Sequence, residues 1–318
     1  MNPTALSLEQ TPPLSVPLRF FITAPLFVIA AAGILLWYGP VVLSSRWAPP
    51  LLAVTHFVTL GFLAMIMVGA VQQLLPILMA SPVPRPRLTS TVIHLLLTTG
   101  TLLLGVGMLT GWTSLFIVAM GMLGSGLLTF IAVVAYCLFH ARSSHATVSA
   151  MALAITALAV TVGIGLVLAG GYGLTSFQLP RYLTDLHLIW GILGWVGLLV
   201  IGVAYQVVPM FQLTSNYPAM VMRWLPRGLF LALLLWSIAL LLPEPYYWLV
   251  LLGGGMLGAG YIGFALITLM LQQRRRRRIS DVSVDFWRVA LASLLLSMLL
   301  WGAEGLSLLQ HRELLLGV

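Results

Sequence analysis

Residues 61–76 read GFLAMIMVGAVQQLLP, and residues 194–209 read GWVGLLVIGVAYQVVP. Gly61, Gly69, Gln73 and Pro76 of the first stretch return as Gly194, Gly202, Gln206 and Pro209 of the second, each 133 positions later. His56 stands just upstream of the first copy and His187 just upstream of the second. An imidazole in hydrocarbon is costly unless it finds a partner. Two of them beside matching segments therefore raise the question of a shared metal.

Both stretches are too apolar for a water-facing helix, and the rest of the chain agrees. It is 60% hydrophobic and 7% charged, with a mean hydropathy of +1.07. A soluble domain cannot cover its surface with so few charges, whereas a bundle solvated by lipid can. About 20 apolar residues suffice for a helix to cross a bilayer. Runs of that length fall at 17–38, 50–79, 88–111, 113–140, 147–172, 183–212, 222–243, 246–272 and 286–310. An open sheet would leave unpaired backbone groups in lipid, so the expectation is an all-α polytopic membrane bundle of nine helices.

The formal charge of +8 comes from fifteen arginines and no lysine. Five of them form the run Arg274 to Arg278, directly after an apolar span. That placement fits the positive-inside rule and attraction to anionic lipid heads; no basic groove for nucleic acid is visible. Arg85, Arg87, Arg142, Arg223, Arg227 and the five-Arg run all follow even-numbered spans. The expected orientation thus has a cytoplasmic N-terminus and a periplasmic C-terminus in a bacterial inner membrane. The opening residues lack a basic n-region and read as a polar tail, not a cleaved leader. Cys137 is the only cysteine, which excludes an internal disulfide, covalent c-type haem attachment through CxxCH and a cysteine-held iron–sulfur cluster.

The repeat extends further. GMLGSG begins at Gly121 in the fourth span and GMLGAG at Gly255 in the eighth, an offset of 134. A tandem four-helix repeat plus one extra helix follows, with both copies in the same orientation. The expected partition is a tail at 1–16, a first repeat at 17–145, a second at 146–273, and a basic loop with the ninth helix at 274–318.

Six histidines are available. His140 and His145 flank Arg142 in a short turn, His311 sits in the tail, and His94 suits a structural hydrogen bond. His56 and His187 differ, because both sit near the outer ends of their spans. Imidazole is the usual axial ligand of haem iron, and a b-type haem needs no cysteine. Small residues would let a flat ring approach the backbone: Gly61 on one helix, Gly191 and Gly194 on the other. Arg181 stands at the mouth of the His187 segment with Asp185, where it could meet a haem propionate. The alternative is that these glycines serve helix packing and the histidines bond neighbouring helices. His56 precedes Gly61 by five residues and His187 precedes Gly194 by seven. At about 100° per residue that difference turns one imidazole by roughly 160° relative to strict symmetry.

Other candidates carry less. Met65, Met67 and Met79 offer thioethers to copper, although methionine in an apolar helix is usually filler. Gln72, Gln73 and Gln206 lie about a turn before Pro76 and Pro209, suited to bonding carbonyls freed by the prolines or to lining a polar pocket. Glu304 is a carboxylate inside the last span.

The segments THFVTLGFLAMIMVGAVQQLLP and LHLIWGILGWVGLLVIGVAYQVVPMF resemble helices of the haem–copper oxidase subunit I superfamily. They look most similar to NnrS-type and short subunit-I-like membrane proteins. The resemblance covers about two helices of nine. It implies haem b binding and a role in electron transfer, nitric-oxide or gas response, or respiratory-complex assembly, with complex subunits or a redox partner alongside the lipid bilayer. A complete terminal reductase is not expected, because the additional histidines of that family's catalytic centre have no counterpart here. A transporter and a structural subunit of a respiratory complex are the competing readings.

Overall fold

The computed structural model describes residues 12–79, 83–141, 146–173, 179–242, 247–276, 279 and 281–305. Among these residues there is no strand, and nine helices are long and apolar enough to cross a membrane. They run Ser15–Leu43, Pro49–Ile77, Pro86–Thr110, Thr113–Phe139, Ala146–Tyr172, Tyr182–Gln212, Ala219–Leu241, Trp248–Gln273 and Val282–Ala303. The end of the expected ninth span, 306–310, lies outside the described residues, as do Arg142, His145, Arg277, Arg278 and His311. Apolar side chains point outward in number: Leu36, Trp37 and Phe139 are each more than 85% exposed. A surface of that kind is stable only against lipid.

In chain order the helices are α1 (Ser15–Tyr38), α2 (Pro49–His56), α3 (Met65–Met79), α4 (Pro86–Thr110), α5 (Thr113–Phe139) and α6 (Ala146–Gly173). They continue as α7 (Tyr182–Ile189), α8 (Leu198–Gln212), α9 (Ala219–Leu241), α10 (Tyr247–Gln273) and α11 (Val282–Gly305). Two π-helical segments, Phe57–Ala64 and Trp190–Gly197, join α2 to α3 and α7 to α8 without a break. Local sequence accounts for several boundaries. Proline occupies the first turn of α2 and α4, where a missing N–H costs nothing. Gly111, at φ +71°, closes α4 by donating its N–H to the Gly107 carbonyl at 2.8 Å.

Element boundaries return at the spacing seen in the sequence. Adding 133 to the limits of α2, of the first π-helical segment and of α3 gives those of α7, of the second segment and of α8. Adding 134 to the limits of α5 gives those of α10.

The described residues form two compact units: those within 12–141 and 162–183 in the first, those within 146–161 and 184–305 in the second. Residues 162–183 were expected with the second half. They join the first because the C-terminal part of α6 packs there, with Tyr172 stacked on Phe116 at 6.0 Å between centroids.

Lipid tails are as apolar as leucine, so helices in a membrane associate through close packing at small residues. In the first unit α1 lays Phe27 over Gly61 and Phe20 over Gly69, and Phe57 covers Gly105 of α4. α4 and α5 meet where Gly100 receives Leu123 and Gly126 receives Leu96. In the second unit Gly194 and Gly202 sit against Ala157 and Ala150 of α6, and Gly253 of α10 sits against Trp236 of α9. α11 packs on α10 and keeps most of its surface outward.

Candidate functional site

His56 is the last residue of α2, immediately before a π-helical segment; His187 lies three residues before the other. π-helical turns are rare and concentrate at functional sites. The two segments read FVTLGFLA and WGILGWVG, sharing an aromatic residue, three residues, glycine and a second aromatic. Because both are wound alike, local rewinding does not correct the two-residue mismatch. His187 matches Val54, not His56, so the two imidazoles leave non-equivalent faces of corresponding helices.

Their hydrogen bonds show the difference. His56 Nδ1 donates to the Leu52 carbonyl of its own helix at 2.8 Å. His187 Nδ1 donates to the Thr161 carbonyl of α6 at 3.1 Å. A carbonyl only accepts, so each ring carries a proton on Nδ1. That is the tautomer an imidazole adopts when it binds a metal through Nε2, with the other nitrogen anchored on a carbonyl. Both rings are partly buried.

His94 has the opposite arrangement. Thr23 Oγ1 donates to the Arg19 carbonyl at 2.8 Å, so His94 Nε2 is the donor in its 2.9 Å bond to Thr23. Phe20 meets the same ring edge-on at 5.2 Å. His94 thus ties α1 to α4, the structural role its position suggests. His140 donates from Nδ1 to the Tyr136 carbonyl at 2.8 Å but is exposed at the end of α5.

The other candidates fall as follows. A Cβ on Gly61 would overlap the Phe27 ring; on Gly194 it would lie 2.9 Å from Ala157 Cβ. On Gly191 it would lie 3.3 Å from Thr161 Cγ2. All three glycines therefore admit neighbouring helices, and Gly191 follows His187 by one turn on the face that meets Thr161. Arg181 is exposed just before α7 and Asp185 is partly buried within it. Met65 and Met67 are buried in α3, whereas the side chains of Met79 and Glu304 lie outside the described set. Among the described residues no three His, Cys, Asp or Glu side chains gather as a metal-holding group.

The glutamines do not reach the carbonyls their prolines displace. The carbonyl four residues before Pro76 is that of Gln72 itself, and the Gln72 amide donates one turn earlier, to Val68 at 3.4 Å. The Oε1 atoms of Gln72 and Gln73 and the hydroxyls of Thr98 and Thr101 on α4 are buried without hydrogen-bond partners.

Two features escaped the sequence analysis. Tyr261 of α10 lies over Gly197, where a Cβ would overlap its phenol oxygen, and donates to the Leu193 carbonyl inside the π-helical segment. Tyr261→Phe is expected to cost about 1 kcal/mol, read as a lower unfolding midpoint, because it strands that carbonyl. The first segment has no such phenol: Leu127 and Leu128 occupy the corresponding places on α5. The residue pattern alone pairs Gly197 with nothing, so only packing could reveal this contact.

The second feature closes the α8–α9 connection. Tyr217, 2% exposed, shares a 2.9 Å hydrogen bond with Thr268, and the Gln272 amide donates to Gln212 Oε1 at 3.0 Å. Burial pushes the Tyr217 phenol up to about 12, against a smaller downward pull from its Thr268 hydrogen bond. The folded chain then keeps this proton at a pH where the unfolded chain has lost it. This stabilisation is complete below the ordinary phenol pKa of about 10 and is lost as pH rises towards 12. Tyr217→Phe should flatten that part of the stability profile; an unchanged slope in denaturation between these pH values would contradict the assignment.

The fold defines a class, a multi-pass helical membrane protein whose outer surface contacts the lipid bilayer. No protein-family model, curated protein or solved structure matches the chain.

Proposed function

We propose that this is a haem-b-binding protein of a bacterial inner membrane, with His56 and His187 as iron ligands. It acts in electron transfer, in nitric-oxide or other gas response, or in respiratory-complex assembly, and is not a complete terminal reductase. The observation that carries this reading is the shared tautomer. Two histidines beside corresponding π-helical segments each anchor Nδ1 on a backbone carbonyl, as an imidazole that binds a metal through Nε2 does.

The fit to a haem rests on the imidazoles alone, because Gly61, Gly191 and Gly194 are engaged by helices. A bound haem supplies a one-electron couple tuned by its axial ligands and the dielectric around it. The protein's part is to hold the imidazoles in one tautomer and to surround them with apolar helix. The recurrence of helix limits at 133 and 134 residues supports a tandem four-helix repeat with α11 added. Arginine placement supports a cytoplasmic N-terminus and a periplasmic C-terminus.

The test is an absorption spectrum of detergent-purified protein made with ample haem, together with a pyridine haemochrome assay. The reading requires a Soret band, a reduced α band and near-stoichiometric b-type haem. Copper in place of iron would appear in elemental analysis, with Met65 and Met67 as the residues to vary.

Transport is the second reading, favoured by the unpartnered oxygens of Gln72, Gln73, Thr98 and Thr101 within one unit. Colourless pure protein whose melting point rises with a small polar solute would support it over the first.

A further inference from the structure

We infer that Tyr261 is a positioning residue: its phenol holds the second π-helical segment in its winding and so fixes the direction in which His187 leaves α7. All the groups involved belong to the second unit. The inference rests on the proposed ligand role of His187 for its consequence at iron, and on packing alone for its geometry.

The two π-helical segments are wound alike but held differently. In the first unit an aromatic ring holds the segment at two points: Phe27 of α1 lies over Gly61 and meets Phe57 edge-on at 5.5 Å. In the second unit the nearest side chain over Gly194, the counterpart of Gly61, is Ala157, with a methyl in place of a ring. Trp190, the counterpart of Phe57, turns to α9 and donates to Ser237 Oγ at 2.8 Å. The hold that a methyl cannot supply comes from α10. Tyr261, 2% exposed, donates its hydroxyl to the Leu193 carbonyl. The sequence makes room for it: Gly197 stands where the first segment has Ala64, and a Cβ there would overlap the phenol oxygen.

A π turn pairs each carbonyl with the amide five residues on, an α turn with the amide four residues on. Leu198, the first residue beyond the segment, donates its N–H to the Gly194 and Trp195 carbonyls. The Leu193 carbonyl takes the Tyr261 hydroxyl. Inside a membrane a carbonyl without a donor is costly, and rewinding the turn as α-helix would offer it the Gly197 amide. That rewinding takes one residue out of the turn and rotates what precedes it by about 100°. His187 lies six residues before Leu193 and bonds across to Thr161 of α6, so a rotation of this size breaks the bond. The phenol satisfies the carbonyl and thereby keeps His187 on Thr161. His56 needs no such help, since it bonds Leu52 on its own helix.

The experiment uses full-length protein carrying ¹⁵N-histidine, purified in detergent and reduced so that any low-spin haem is diamagnetic. It is read by NMR, with the His187 resonance assigned by its loss in His187→Ala. Wild type should show a slowly exchanging Nδ1–H for His187. Tyr261→Phe keeps the ring and removes the hydroxyl; it should move that resonance and speed its exchange by roughly five- to ten-fold, the equivalent of one hydrogen bond. Gly197→Ala pushes the phenol off Leu193 and must act in the same direction. Tyr217→Phe removes another buried phenol from the same unit and should leave His187 unmoved. The His56 and His94 resonances should stay in place throughout.

An unmoved His187 resonance in either Tyr261→Phe or Gly197→Ala would overturn the inference. So would an equal change in Tyr217→Phe, the mark of general loosening, or a wild type in which His187 has no protected Nδ1–H. Colourless protein that still shows the Tyr261-dependent shift would remove the haem proposal and leave the positioning role standing.

Discussion

On the proposed haem assignment, His56→Ala and His187→Ala are each expected to abolish a low-spin haem spectrum, whereas His94→Ala and His140→Ala leave it in place. The expectation follows from the state of each ring. His56 and His187 anchor Nδ1 on carbonyls, while His94 donates its Nε2 proton to Thr23. His140 shares the tautomer of His56 but is exposed at a helix end. An iron that loses one of two strong axial ligands leaves the low-spin state, so the change is qualitative. The α band of the reduced protein should vanish in both variants, with pigment reduced or lost. If both variants keep wild-type haem content and an unaltered α band, His56 and His187 are not the ligands. His94→Ala should lower the melting temperature without touching the spectrum, since it removes a bond between α1 and α4.

Gly61→Ala is expected to destabilise the protein by about 1–3 kcal/mol, the usual cost of overfilling a packed site. The added methyl would overlap Phe27 at its Cβ and Cγ, close to the α1 backbone, where a rotamer change gives little relief. Phe27→Ala in the same chain should recover part of the loss. Gly228→Ala and Gly263→Ala make the contrast, because nothing lies within 4 Å of either new methyl. Those two should be neutral or slightly stabilising, as alanine is the better helix former. Cys137 is the single cysteine and is buried, so a thiol-reactive dye reports unfolding directly. Equal melting points for Gly61→Ala and Gly228→Ala would contradict the packing described for α1 and the first π-helical segment.

The helices were legible because a membrane imposes a single rule on every span. Twenty apolar residues must satisfy their own backbone, and the nine expected runs match nine helices among the described residues to within a few residues at most ends. The placement of residues 162–183 was not legible. Hydropathy marks where a helix lies, whereas Phe116, Met120 and Leu166 decide what it packs against.

The candidate site was legible in part. The sequence located both histidines, and their register mismatch was visible as five residues against seven. What each ring bonds to was not, since the Thr161 carbonyl belongs to another helix. The π-helical winding also went unread, although the shared aromatic-x3-Gly-aromatic pattern of Phe57–Phe62 and Trp190–Trp195 was its trace. Glycine type could not separate a macrocycle from a neighbouring helix, because both need the same absent Cβ. The side chains over Gly61, Gly191 and Gly194 supply what the glycines themselves could not.

Electron paramagnetic resonance of the oxidised, purified protein tests the central claim most directly. Two imidazole ligands predict a low-spin ferric haem signal that disappears on replacing either His56 or His187 with alanine. A high-spin signal in the wild type, or protein with no bound iron despite ample haem during expression, would contradict it.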